Sequence, residues 1–288
     1  MSNLQNPYDR FDEALQSSFE SNLLAALLED VGTGDLTGLL VPDEGRVRAR
    51  VIVREDAVLC GAPWFQGVML ALEQSMDIDW KYAEGDMMKA GSEVCTIEGP
   101  ARALLTAERS ALNFMQLMSG VATATRKYVD VVAGTKAAIL DTRKTLPGLR
   151  QAQKYAVRVG GGQNQRMALY DGILIKENHI AAAGGVTAAL DAARALNAGV
   201  SIQVEVETLA QLGEALEAGA VSVLLDNFEL QAMVDAVALN SGRALLEASG
   251  GVTMESVRAI AETGVDRISI GSLTKDIKAT DFSLRIID

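Results

Sequence analysis

The sequence predicts an α/β fold, a barrel of β/α units beside a separate and smaller α/β domain. Three observations carry this reading. From about residue 136 onward, short apolar runs alternate with helix-like stretches, the pattern of β/α units on a parallel sheet. Six such units occur without a dinucleotide-binding glycine fingerprint, which favours a barrel, although spacing alone does not separate it from a doubly wound sheet. The first third follows a different pattern.

Strands are expected at 137–141, 172–176, 201–207, 221–226, 244–248 and 267–271. Between them, Leu209, Leu212 and Leu216, then Leu230, Met233, Val234 and Val237, then Val257, Ile260 and Ala261 each fall on one helical face. Gly219 and Gly264 follow two of these helices as C-terminal stops. In the first third, residues 47–53 read as a strand, 84–99 as a hairpin-rich stretch and 104–132 as one long helix. The segment Gly85-Asp86-Met87-Met88-Lys89-Ala90-Gly91 has the outline of a cofactor-carrying lysine hairpin, but no strand repeat surrounds it and an ordinary surface hairpin is expected.

Composition narrows the function. Within 288 residues, 49% are apolar and 22% charged, and no run reaches the ~18 apolar residues of a membrane span. The opening MSNLQNPYDRFDEAL is acidic early and lacks a basic start, so a cytoplasmic protein is expected. Cys60 and Cys95 make no disulfide framework and stand in no zinc spacing, while a single histidine, His179, leaves little room for histidine chemistry. A net charge of −12 disfavours nucleic acid and anionic membranes, so a local basic cluster such as Asp141-Thr142-Arg143-Lys144-Thr145 stands out.

Parallel barrels place chemistry at the C-terminal ends of their strands. Here those ends read Asp141 to Thr145, Lys176-Glu177-Asn178-His179, Glu205 with Glu207, Asp226-Asn227, Ser249-Gly250-Gly251 and Gly271-Ser272. In Gln203-Val204-Glu205-Val206-Glu207 polar residues alternate with valines, so a strand that otherwise reads as core carries polar groups on one face. Glu205 would then need a cation or metal beside it, and Lys144, Lys176 and Arg143 are the candidate partners. The two late glycine turns suit phosphate, because glycine lets backbone N–H groups approach it closely. Gly160-Gly161-Gly162 is either a hinge or another close-approach loop before Arg166.

With these residues in view, the chain resembles the quinolinate phosphoribosyltransferases, also called carboxylating nicotinate-nucleotide pyrophosphorylases, over almost its whole length. The matching segments include EDVGTGDLT from Glu29, ERSALN from Glu108, SGVAT from Ser119, DTRKTLPGLR from Asp141, KYAV from Lys154 and IKENHI from Ile175. They continue through Glu205-Val206-Glu207, Leu225-Asp226-Asn227, EASGG from Glu247 and GVDRISIG from Gly264.

The resemblance implies transfer of the 5-phosphoribosyl group from phosphoribosyl pyrophosphate to the ring nitrogen of quinolinate. Carbon dioxide and pyrophosphate leave, and nicotinate mononucleotide enters NAD synthesis. It implies an irregular, incomplete (β/α) barrel over 116–273, an α/β sandwich over 1–115 joined by the tail 274–288, and a homodimer or higher oligomer with shared active sites. It also implies Mg2+ bound with phosphoribosyl pyrophosphate. Carried over by position, Arg143, Arg166 and Lys176 hold the quinolinate carboxylates with Thr142 and Gln165 beside them, and Arg109 reaches the site from a neighbouring subunit. Lys144 sits near the reacting groups, Glu205 and Asp226 face the ribose hydroxyls and the magnesium pyrophosphate, and Ser249, Gly250, Gly251, Ile270, Gly271 and Ser272 cradle the 5-phosphate. Where the family often has a His-Arg pair, this chain reads Gln165-Arg166, and glutamine donates a hydrogen bond but adds no charge. His179 is expected to make a structural hydrogen bond.

Three rival readings remain. Lys176 ends its strand as an aldolase Schiff-base lysine does. A related pyrophosphorylase could take another acceptor, and a ligand sensor could share the fold.

Overall fold

The computed structural model describes residues 11–42 and 45–287, so part of the acidic opening lies outside the described residues. The chain forms two units, described in turn. The first takes in the described residues up to Ala124, then Thr145–Gly161 and the tail from Thr274.

In this first unit, β1 (Arg46–Val53) buries Ala49, Val51 and Val53 and turns Arg48 and Arg50 outward, the two-residue period of a half-buried strand. It lies in an antiparallel sheet between β5 (Glu93–Pro100) and β12 (Phe282–Ile286), with β3 (Asp77–Trp80) beyond β5. The tail therefore supplies an edge strand of this sheet. The approach of the tail depends on Gly120 in α3 (Ala101–Val131): a Cβ there would overlap the carbonyl oxygen of Lys278. Trp64 and Phe65 of α2 (Ala62–Leu72) are fully buried, and Trp64 packs edge-on against Phe19 of α1 (Glu13–Asp30) with centroids 5.3 Å apart.

Two expectations change here. Residues 84–99 do not fold as a hairpin: β4 (Met87–Met88) pairs with β2 (Ala57–Val58), burying Met88, whereas β5 pairs with β1 and β3. Lys89 in that stretch is an exposed residue whose Nζ lies 2.9 Å from Asp56, an ordinary surface ion pair. Residues 145–161, assigned by sequence to the barrel, cluster with the first unit. The cause is the apolar stripe of α4 (Arg150–Val159), which buries Ala152, Ala156 and Val157 in this core and sets the Tyr155 ring 5.4 Å from Trp64.

The second unit contains six strands: β6 (Ala138–Leu140), β7 (Gly172–Ile175), β8 (Ser201–Val206), β9 (Ser222–Asp226), β10 (Leu245–Ser249) and β11 (Arg267–Ser269). All six expected strands are present, and the pairing is parallel throughout in the order β6-β11-β10-β9-β8-β7. This order is singly wound. A doubly wound sheet starts in the middle and runs to both edges, whereas here the first strand lies beside the last. Along the free edge of β6, Gln163 forms one parallel bridge with Leu140, and three residues later Arg166 Nη1 donates to Gly172 O of β7 at 2.8 Å.

The alternation along these strands separates two faces. Val204, Val206, Val223, Leu225, Leu246, Ala248 and Ile268 bury one face as core. The other carries Gln203, Glu205, Leu224, Asp226, Glu247, Ser249 and Ser269 at matched levels of the parallel register. Connecting helices include α5 (Glu177–Ala183), α7 (Leu209–Glu217), α8 (Leu230–Asn240) and α9 (Val257–Glu262), and Gly219 and Gly264 end two of them at positive φ. The face of α8 differs from expectation, since Met233, Ala236 and Asn240 turn inward while Leu230 and Val234 are exposed.

Candidate active site

The polar strand face and the C-terminal strand ends bring the predicted residues of the second unit together. After β6, the fully buried Asp141 accepts from Asn164 Nδ2 and, at 2.9 Å, from the Gln165 backbone N–H, so one carboxylate holds the loop that leads to Arg166. Thr142 Oγ1 accepts from the Lys144 N–H at 3.0 Å and tightens the turn that carries Arg143. A Cβ at Gly271 would lie 3.0 Å from Lys144 Cδ, so the glycine after β11 lets the lysine stem rest against the backbone.

Arg166 lies in the field of Arg143. Desolvation, and then the Arg143 charge, hold its guanidinium below the usual arginine range, with Asp171 opposing. Like charges that feel one another in this way favour an anion that meets both, and a planar dicarboxylate fits two guanidinium forks better than one.

Lys176 meets Glu205 as the valine alternation anticipated: Nζ lies 3.2 Å from Oε2, the lysine side chain half exposed and the carboxylate 10% exposed. Burial raises the Glu205 carboxyl above its ordinary value, Lys176 opposes the rise, and the charges of Asp226 and Glu177 add to it. Three carboxylates and one ammonium therefore act on one another at this partly desolvated corner. His179 stands beside it as a structural group, its Nδ1 accepting from the Lys176 N–H at 3.0 Å.

The ends of β9 and β10 interlock through Asn227, which adopts φ +56°, donates from Nδ2 to Asp226 Oδ2 at 2.9 Å and from its backbone to Ser249 O at 2.9 Å. Gly250 sits against it at φ +104°, where a Cβ would overlap the Asn227 side-chain oxygen. Gly251, at φ +57°, faces open space. Ile270, expected in the phosphate cradle, is buried and donates its N–H to Leu140 O at 2.9 Å, which leaves Gly271 and Ser272 as the residues of that turn with a backbone to offer.

Gln165 does not point its amide where the sequence placed it. Its Nε2 donates to Gln203 Oε1 at 2.8 Å and to the two Glu247 oxygens at 2.9 and 3.0 Å, so both amide hydrogens are engaged within the protein. The cause is Glu247, fully buried on β10 and also accepting from Gln203 Nε2 at 3.0 Å. Sequence reasoning missed Glu247 as a site residue. Its signal was a carboxylate set two residues before Ser249 in an otherwise apolar run.

Arg109 belongs to the first unit and is described there alone. It is exposed, 4.0 Å from Glu108 Oε1, and lines a recess with Asp35, Leu36, Thr37 and Thr106. Among the described residues, no cluster of three or more His, Cys, Asp or Glu side chains could hold a metal ion, and no helix is long and apolar enough to cross a membrane.

Residues 35–119 match the family description "Quinolinate phosphoribosyl transferase, N-terminal domain", and residues 121–285 match its C-terminal domain. The chain belongs to the quinolinate phosphoribosyltransferase family. It is 42% identical to the probable carboxylating nicotinate-nucleotide pyrophosphorylase of Bacillus subtilis, covering 90% of each chain, and 42% identical to that of Mycobacterium leprae, covering 90% of this chain and 94% of the relative. The structure of the nicotinate-nucleotide pyrophosphorylase from Francisella tularensis superposes with a TM-score of 0.92 at 43% identity, covering 94% of this chain and 96% of that one. In quinolinate phosphoribosyltransferase terms, the C-terminal match holds every site residue named above except Arg109, which falls in the N-terminal match.

Proposed function

We propose that the chain transfers the 5-phosphoribosyl group from phosphoribosyl pyrophosphate to the ring nitrogen of quinolinate, releasing pyrophosphate and carbon dioxide and forming nicotinate mononucleotide for NAD synthesis. The observation that carries this reading is that Arg143 and Arg166, in the segments that follow β6, feel one another's charge in a protein of net charge −12, beside a strand face that bears Glu205 and Asp226. The names of the relatives at 42% identity support it.

Each substrate has its groups. Arg143, Arg166 and Lys176 take the two carboxylates of quinolinate by charge-assisted hydrogen bonds, and Thr142 shapes the turn that presents Arg143. The Gly250–Gly251 turn, with Ser249, Gly271 and Ser272, takes the 5-phosphate on backbone amides. Glu205 and Asp226 face the ribose, where loss of pyrophosphate leaves positive charge that nearby carboxylates stabilise. The ring nitrogen forms its bond to C1 of the ribose as the C1–pyrophosphate bond breaks. The C2 carboxylate then departs as carbon dioxide, leaving its electron pair on C2, which a proton restores to C–H. Lys144 holds that proton in this reading.

Glu205 and Asp226 also fit Mg2+ carried in with phosphoribosyl pyrophosphate, because magnesium commonly binds one or two carboxylates together with substrate phosphates and does not need an all-protein cage. When bound it neutralises charge on the departing pyrophosphate.

The sheet order and the Gln163 to Arg166 segment between the edges of β6 and β7 support an irregular barrel, incomplete between its first and second strands. Exposed Leu36 and Leu40, both 83% accessible, and Arg109 in the same recess as Leu36 support a homodimer in which Arg109 serves the partner's site. Two free, buried cysteines suit a cytoplasmic setting.

The test is incubation with quinolinate, phosphoribosyl pyrophosphate and magnesium while nicotinate mononucleotide and carbon dioxide are followed. Product from nicotinate and none from quinolinate would overturn the acceptor assignment.

A further inference from the structure

Glu247 is a fully buried carboxylate on the polar strand face, and its hydrogen-bond donors are Gln165 and Gln203. These three side chains join parts of the unit that are distant in sequence. Gln203 lies on β8 and Glu247 on β10, so their contact passes over β9, and Gln165 comes from the segment between β6 and β7. The orientation of the Gln165 amide is set from both ends. Its Oε1 accepts the Arg166 backbone N–H at 2.8 Å, and its Nε2 donates to Glu247 and Gln203. The neighbouring groups are held as well, the Gln165 backbone N–H by Asp141 and the Arg166 guanidinium by Gly172 O.

Each contact removes one freedom of residues 164–166. Without an acceptor for Nε2, Gln165 would lose the rotamer that fixes the Arg166 N–H, and Arg166 would lose its line to Arg143. A misplacement of about 1 Å in a binding group is enough to weaken a bidentate contact strongly. Glu247 can receive both glutamine amides because a carboxylate accepts only, on two oxygens. A glutamine in its place would turn an NH2 toward one of two NH2 donors, and a buried network with one unsatisfied member is worse than none. The same strand ends two residues later at Ser249, where the glycine turn begins.

We propose that Glu247 is a positioning residue for acceptor binding: by accepting from Gln165 and Gln203 it fixes the segment that aims Arg166 at a carboxylate of the acceptor. This rests on the reading that the acceptor is quinolinate.

The experiment compares the parent, Glu247→Gln, Gln203→Met and the double variant Glu247→Gln with Gln203→Glu, which returns one carboxylate to the network from the opposite strand. Calorimetry gives the quinolinate Kd, steady-state rates give KM and kcat for both substrates, and thermal unfolding monitors the fold. Glu247→Gln is expected to raise the quinolinate KM and Kd by about tenfold while the KM for phosphoribosyl pyrophosphate stays within about twofold. Gln203→Met should shift in the same direction by less, and the double variant should recover most of the loss. Equal changes in both KM values, or an unchanged quinolinate Kd in Glu247→Gln and Gln203→Met alike, would overturn the proposal while leaving the parent reaction intact. Should Glu247→Gln fail to fold, Gln203→Met carries the same comparison. A parent that neither binds nor consumes quinolinate would instead remove the functional reading, and this inference with it.

Discussion

Lys176 Nζ lies 3.2 Å from Glu205 Oε2, and the two partners differ in solvent contact, the lysine side chain being 47% exposed and the carboxylate 10%. The buried member bears the cost of this pair. Burial raises the Glu205 carboxyl, Lys176 only partly offsets the rise, and Asp226 adds to it. The corner is not optimised for stability.

That arrangement predicts a pH-dependent stability difference. The fold holds the Glu205 proton more tightly than the unfolded chain does, so the stabilising share of this group is fully present below the unfolded value of about 4.3 and is lost as pH rises through the raised folded value. Glu205→Gln cannot ionise. Its Tm should match the parent near pH 4 and exceed it by ~2 °C near pH 7, while turnover collapses. Thermal scans across that range check it; a variant that is less stable than the parent at pH 7 alone would show that the Lys176 pair outweighs burial.

The two glycines of the turn after β10 should not respond alike. At Gly250, φ +104° and the overlap with Asn227 act together, so Gly250→Ala must displace the residue that holds Asp226. At Gly251, φ +57° is tolerable and no atom lies within 4 Å of a Cβ. Gly251→Ala should cost about 1 kcal/mol of stability, whereas Gly250→Ala should cost about 1–3 kcal/mol and raise the KM for phosphoribosyl pyrophosphate more than tenfold. Denaturant unfolding and initial rates separate the two, and equal effects would mean that the Asn227 contact is slack.

These cases mark what was legible in the sequence. Six strands, their charged ends and the need of Glu205 for a cationic partner could be read because strand alternation and strand-end position are local properties, although which of Lys144, Lys176 and Arg143 would meet it could not. The destination of α4 could not, since its stripe of Ala152, Ala156 and Val157 would suit either core. Gln165 could not either: its direction depends on Glu247, 82 residues away, and no local pattern records which acceptor an amide will find. For the same reason the pairing of β4 with β2 instead of β5 was hidden, because short strands carry little register information.

His179 tests a structural role directly. Its Nδ1 accepts the Lys176 N–H at the start of α5, a contact of the helix-capping kind. His179→Ala should lower stability by about 1 kcal/mol, seen as ~2–4 °C in Tm, and leave kcat within about twofold. A collapse of kcat in a folded His179→Ala would place the imidazole in the chemistry.

Arg109 provides the test of assembly. It is exposed on the first unit in a recess that includes Leu36, and Leu36 and Leu40 offer large apolar surfaces to solvent, a combination that suits burial against a second copy. Leu36→Asp with Leu40→Asp should then halve the sedimenting mass and remove activity, although neither residue belongs to the strand-end site. If Arg109 serves the partner, Arg109→Ala and Lys176→Ala should each be nearly inactive alone. Mixed and allowed to exchange, half of the dimers would be hybrids with one intact site in two, so activity should return to about a quarter of the parent value. A mixture that stays inactive while sedimentation shows the exchange complete would put Arg109 outside the shared site.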